Sequence, residues 1–127
     1  MIETAYGGTG NSTGYIRTGL KSGVTAGTRS TAEGYNTSST GTNSHSEGNT
    51  TTASSAASHA EGASTIASGQ NAHAEGSTTT ASGNASHAEG TSNVASGNSA
   101  HAEGYTNTAS GNYSSVSGSN NIAKNRS

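Results

Sequence analysis

Apolar positions in this chain do not recur at intervals of three and four, as a helix face requires; small and polar residues alternate instead. The alternation comes in blocks of fourteen: SHSEGNTTTASSAA from Ser44, then SHAEGASTIASGQN, AHAEGSTTTASGNA, SHAEGTSNVASGNS and AHAEGYTNTASGNY. It extends back to Ser30 as STAEGYNTSSTGTN and forward from Ser114 as SSVSGSNNIAKNRS, whereas residues 2–29 fit it poorly. A fixed period of this length predicts stacked structural units. Within each block glycine returns every seventh position from Gly27 to Gly118, with Ser55 the one interruption. Each half-block is therefore a short extended run closed by glycine, which predicts two strands and two tight turns per coil. A helix would lose about 1 kcal/mol at each such glycine relative to alanine.

Strand alternation assigns the faces. In SHAEG the Ser, Ala and Gly share one side and the His and Glu the other; in the second half Thr or Asn, Ala and Gly share a side. The small-residue sides are expected to face each other, with Ala60, Ala67, Ala74, Ala81, Ala88, Ala95, Ala102 and Ala109 as a narrow core. Backbone bonds between coils about 4.8 Å apart would then carry more of the stability than side-chain burial.

Composition sharpens this reading. With no Phe, Trp, Pro or Cys, 19 Gly and few large aliphatics among 127 residues, no conventional core can be built. Such a composition ordinarily stays disordered unless a repetitive architecture rescues it. The absence of cysteine removes disulfides, thiolate zinc sites and cysteine nucleophiles. No apolar run reaches signal-peptide length, so neither membrane insertion nor export from this chain alone is expected. The expected organisation is an irregular cap or connector over residues 1–29 and a repeat domain over 30–127, about eight coils and about 40 Å tall. The basic C-terminus is read as a degenerate last coil leading into a further domain.

The doubled S-x-A-x-G spacing resembles the 14-residue head repeats of trimeric autotransporter adhesins, the YadA-like left-handed parallel β-roll. The resemblance covers roughly residues 30–123. It implies a homotrimer, side by side or intertwined, and a seam formed by the outward positions of the first strand. The family usually places aliphatic residues there. This chain has His45 and Glu47, His59 and Glu61, His73 and Glu75, His87 and Glu89, and His101 and Glu103. The implied subunit interface is thus polar. The stretch AYGGTGNSTGY resembles connectors of bacteriophage tail fibres, and SHAEG arrays resemble those of prophage and Gram-positive surface proteins. The expected function is a structural or adhesive segment of a phage tail fibre or a bacterial surface adhesin. Its location would be the virion or the cell surface, and its partner a host receptor or glycan.

Other chemistries fit less well. Imidazoles of His59, His73 and His87, gathered in threes around a trimer axis, are candidates for a transition metal. No cofactor is expected otherwise, since a pair present in every coil speaks for architecture. H-x-E lacks the cysteine partner motif of zinc deaminases, HExxH is absent, and without any Asp no Ser-His-Asp triad exists, so no enzyme is expected. The pairs Thr50 and Thr52, Thr78 and Thr80, and Thr106 and Thr108 resemble ice-binding threonine ladders, interrupted by Ser64 with Ile66 and Ser92 with Val94. Strand propensity alone also explains threonine there. All five basic residues, Arg17, Lys21, Arg29, Lys124 and Arg126, lie outside the repeats, which argues against nucleic acid. Tyr35 and Tyr105 are candidate ligand contacts. Histidines in a seam also make stability pH-dependent, with a sign that depends on whether they are charged or buried neutral.

Overall fold

The computed structural model describes residues 16–125 and is a parallel β-roll. Every regular element among the described residues is a strand, and none is a helix long and apolar enough to cross a membrane. The Gly-rich stretch at 5–15, compared above with tail-fibre connectors, lies outside the described residues. In chain order the strands are β1 (Ile16–Leu20), β2 (Thr31–Ser39), β3 (His45–Asn49), β4 (Thr52–Ala53), β5 (His59–Ala63), β6 (Ile66–Ala67) and β7 (His73–Ala74). They continue as β8 (Thr80–Ala81), β9 (His87–Thr91), β10 (Val94–Ala95), β11 (His101–Tyr105), β12 (Thr108–Ala109), β13 (Ser115–Val116) and β14 (Ile122–Ala123).

Odd strands from β3 to β13 form one parallel ladder and even strands from β4 to β14 the other, with β2 long enough to start both. The register is fourteen residues throughout: His45 pairs with His59, His59 with His73, Ala67 with Ala81 and Val94 with Thr108. Seven such turns stack from Thr31 to Ala123. β1 adds one more parallel strand beside β2, with a register shift between Thr18 and Leu20.

The core is the one that alternation predicts. Ala60, Ala67, Ala74, Ala81, Ala88, Ala95, Ala102 and Ala109 are all fully buried, together with Ala32 and Ala53. Thr51, Thr65, Thr79, Asn93 and Asn107 join them from the second half of each coil. A buried methyl contributes only about 0.8 kcal/mol, so this interior is modest and the backbone ladder has to be nearly complete.

The ladder is extended because it also runs through the corners. Each coil has two non-glycine residues in the left-handed region. One corner column holds Asn36, Thr50, Ser64, Thr78, Ser92, Thr106 and Asn120, and the other Arg29, Asn43, Ala57, Asn71, Ala85, Ser99 and Tyr113, all with φ between 53° and 60°. In the strands an amide donates to the following coil, as His59 does to the Ala72 carbonyl at 2.9 Å. At the corners it donates to the preceding one, as Thr78 does to Ala63 at 2.8 Å and Ala85 to Gln70 at 2.7 Å. Positive φ turns the N–H along the stacking axis and keeps corner donors paired.

One expectation needs correction. The first-strand glycines, Gly48, Gly62, Gly76, Gly90 and Gly104, do not point inward with the alanines; they are exposed, with φ from 99° to 109°. Strict alternation ends at the Glu before each of them because the chain is already turning the corner. They are required there for another reason: a Cβ at Gly76 would lie 2.1 Å from the Gly90 carbonyl oxygen. The second glycine column is buried and equally close-packed, with a Cβ at Gly83 falling 1.9 Å from the Gly97 oxygen. At its single interruption the chain adapts. Gly69 and Gly83 donate to the next coil's alanine carbonyl at 3.3 and 3.2 Å, whereas the Ser55 amide donates to Ser58 Oγ at 3.2 Å.

Candidate functional site: a histidine and glutamate face

The outer face of the odd-strand sheet carries every His and Glu of the repeats. Fourteen-residue register places equal residues on top of one another, so the face consists of one imidazole column and one carboxylate column. Successive rings from His45 to His101 stand 4.7, 4.7, 4.8 and 5.0 Å apart and within 18° of parallel. Strand spacing dictates that separation, which also falls within the range of stacked aromatic pairs.

The two columns interlock. Each His Nε2 lies between the carboxylate of its own coil and that of the coil before. His73 Nε2 is 3.7 Å from Glu61 Oε1 and 3.9 Å from Glu75 Oε2, and His87 is 3.5 Å from Glu75 and 3.9 Å from Glu89. Each inner carboxylate correspondingly spans two histidines, Glu61 offering Oε2 to His59 at 3.7 Å and Oε1 to His73. Only His45 closes its gap, to Glu33, with a 3.1 Å hydrogen bond. The Nε2 atoms of His59, His73, His87 and His101 are sealed from solvent and have no hydrogen-bond partner, although the side chains as a whole are about one-third exposed. Ion-pair range without hydrogen-bond contact is the common state of the row.

Electrostatics follows from the crowding. Burial, then neighbouring imidazoles, lowers the pKa of His59 and of His87, so both are neutral near pH 7. Carboxyls stacked at coil spacing perturb one another's ionisation. Hydrogen bonding to Glu61 and then Glu89 raises Glu75 to about 7, and hydrogen bonding to Glu61 raises Glu47. Glu61 and Glu89 move the other way, lowered chiefly by hydrogen bonds from Glu75 and a second flanking carboxyl.

Beside the carboxylates runs a groove of about 850 Å³, walled by Glu47 through Glu103 and floored by the exposed glycines. It is an open trough along the roll.

The opposite sheet presents a mixed outward column of Thr52, Ile66, Thr80, Val94, Thr108 and Ile122. The T-x-T pairs do not form two flat ranks. Thr50, Thr78 and Thr106 sit at left-handed corners, and only their partners lie on the strand. Tyr35 and Tyr105 are exposed at equivalent positions five coils apart and do not meet.

Sequence reasoning missed a buried amide ladder. Asn93 Oδ1 accepts from the Asn107 amide at 2.7 Å, and Asn107 Oδ1 accepts from the Asn121 amide at 2.8 Å. The Asn107 side-chain amide donates in turn to the carbonyls of Glu103 and Gly118. The substitution of Asn for Thr in late coils was the available signal. No protein-family model matches the chain, and no curated protein matches it significantly. The fold is that of a structural repeat protein.

Proposed function

We propose that the chain is a rigid segment of a fibre, assembled as a homotrimer whose subunits meet through the His/Glu face, in a phage tail fibre or a bacterial surface adhesin. The observation that supports it is the interlocked His/Glu row, one pair per coil over five coils, on a flat face of a roll whose interior is mainly small residues. Such a face is suited to a repeated partner of the same pitch, and a second copy of this chain has that pitch by construction. The roll offers identical thin coils and a shallow trough instead of a shaped pocket, which favours mechanical and multivalent roles over catalysis.

Light scattering on the purified chain at neutral pH tests the assembly. A mass three times the 12.3 kDa chain is expected. A monomer at all accessible concentrations would remove the seam and with it the fibre reading. Replacing His59, His73 and His87 by Val, the residue type the resembling family uses there, is expected to keep the trimer.

A further inference from the structure

The orphaned imidazole nitrogens face carboxylate oxygens at a separation that is too long for a hydrogen bond and near the right length for a shared cation. N–H···O bonds fall at about 2.7–3.2 Å. Two ligands of one zinc ion, each about 2.0–2.2 Å from it, stand about 3.3 Å apart in a tetrahedron. The gaps at His59, His73, His87 and His101 run from 3.5 to 3.9 Å. A side-chain adjustment of a few tenths of an ångström closes them onto an ion.

We propose that this face is a linear array of divalent transition-metal sites, each built from the imidazole nitrogens and carboxylates of adjacent coils of a single chain. Glu75, His87 and Glu89 form one such set and Glu89, His101 and Glu103 the next, while His45, Glu47 and His59, and His59, Glu61 and His73, form sets of two imidazoles and one carboxylate, with all donor atoms of a set within 4.8 Å of one another. Imidazole nitrogen combined with carboxylate oxygen is a donor set for zinc-like ions and not for magnesium, which prefers all-oxygen octahedra. Two independent features support the assignment. The four Nε2 atoms are shielded from water and satisfied by nothing in the chain, and each carboxylate between them turns one oxygen to each neighbouring histidine.

The geometry also fixes the stoichiometry. Filling every coil would place dications about 4.7–5.0 Å apart and make each pair share a carboxylate. Filling alternate coils gives every ion two carboxylates of its own. The non-overlapping choices are His59 with His87, or His73 with His101, and the second extends to His45 if its hydrogen bond to Glu33 opens. Two to three ions per chain are therefore expected.

All three donors of a site belong to one chain, so the inference does not depend on the trimer. Equilibrium dialysis of the full-length chain against Zn²⁺ and against Co²⁺ at slightly alkaline pH, with Mg²⁺ in excess, tests it, and light scattering on the same samples keeps the assembly question separate. The expected result is saturation at two to three Zn²⁺ per chain, a Co²⁺ visible spectrum typical of four-coordination, and at least tenfold weaker binding when His59, His73, His87 and His101 are all replaced by Gln. Histidine ¹⁵N NMR of the unaltered chain gives a readout that does not depend on the variant's folding: Zn²⁺ is expected to shift Nε2 and not Nδ1. Binding unaffected by the Gln replacements, displacement by Mg²⁺, an Nδ1 shift, or saturation at four or more or below two would overturn the proposal.

Discussion

Replacing Thr50, Thr78 and Thr106 together by Asn is expected to stabilise the roll. These β-branched residues hold φ of 60°, 58° and 57°. L-residues lose about 1–2 kcal/mol in the left-handed region, and a branched Cβ lies at the unfavourable end, whereas Asn tolerates it. Asn36 and Asn120 already occupy the same corner column at φ of 56° and 59°. The threonines give up little in exchange: Thr50 Oγ1 bonds only to exposed Asn49, and Thr78 Oγ1 meets Ser77 at 3.5 Å. A gain of about 0.5–1 kcal/mol per site follows. The sites lie two coils apart without shared partners, so the gains should add to about 2 kcal/mol. For a chain of this size that corresponds to a rise of roughly 5–10 °C in melting midpoint, measured by circular dichroism on wild-type and triple-variant chains at equal concentration. An unchanged or lower midpoint in a triple variant with native strand signal would refute the argument that corner strain is carried in the folded state.

Three further outcomes follow from the same geometry. Gly76→Ala is expected to destabilise by more than about 3 kcal/mol, because its Cβ would meet the Gly90 oxygen at 2.1 Å and its φ is 100°; denaturant unfolding reads this directly, and a tolerated alanine would mean that the coils can spread. Asn107→Ala leaves the Asn121 amide and the Glu103 and Gly118 carbonyls without their side-chain partner, and should cost about 2–4 kcal/mol by the same assay; a cost below about 1 kcal/mol would show that water replaces the amide. The pH dependence has two opposed arms. His59, packed between His45 and His73 with Glu47 and Glu61, and His87, between His73 and His101 with Glu75 and Glu89, have pKa values lowered from 6.5, so the unfolded chain takes up protons first and stability falls as pH drops below 6.5. Glu75, raised from 4.5 to about 7, binds its proton first in the folded chain, so its contribution is lost as pH rises from 4.5 through 7. Glu75→Gln should therefore make the melting midpoint fall more steeply between pH 7 and 5 than in wild type, and an identical slope would refute the upward shift of Glu75.

What the sequence revealed and what it hid divide along a physical line. Burial of Ala60 through Ala109 was legible because inward alternation admits only small side chains in a thin coil, and the fourteen-residue register because equal residues repeat. The facing of His and Glu was legible too, but not their interlock: the gap from His73 to Glu61 in the coil before depends on how far each coil advances, which no spacing encodes. The first-strand glycines misled because a period of two was extended one residue past the point where the chain bends.

The corners were hidden for a more general reason. A left-handed residue usually announces itself as Gly or Asn, yet Thr, Ser, Ala, Arg and Tyr occupy these columns. The corner amide donates along the axis to the preceding coil at 2.7–3.0 Å, and losing that bond would leave a donor unpaired. That cost is comparable with the backbone strain, so the ladder can hold an unfavourable residue in place and the sequence is free to drift there. No such compensation exists in the glycine columns, where an added Cβ collides with a carbonyl oxygen of the ladder itself. Substitution should therefore separate the two kinds of position: the corners respond to residue type by about 1 kcal/mol in either direction, while the glycine columns admit a larger residue only where, as at Ser55, the backbone gives up its bond to the next coil and finds another donor or acceptor nearby.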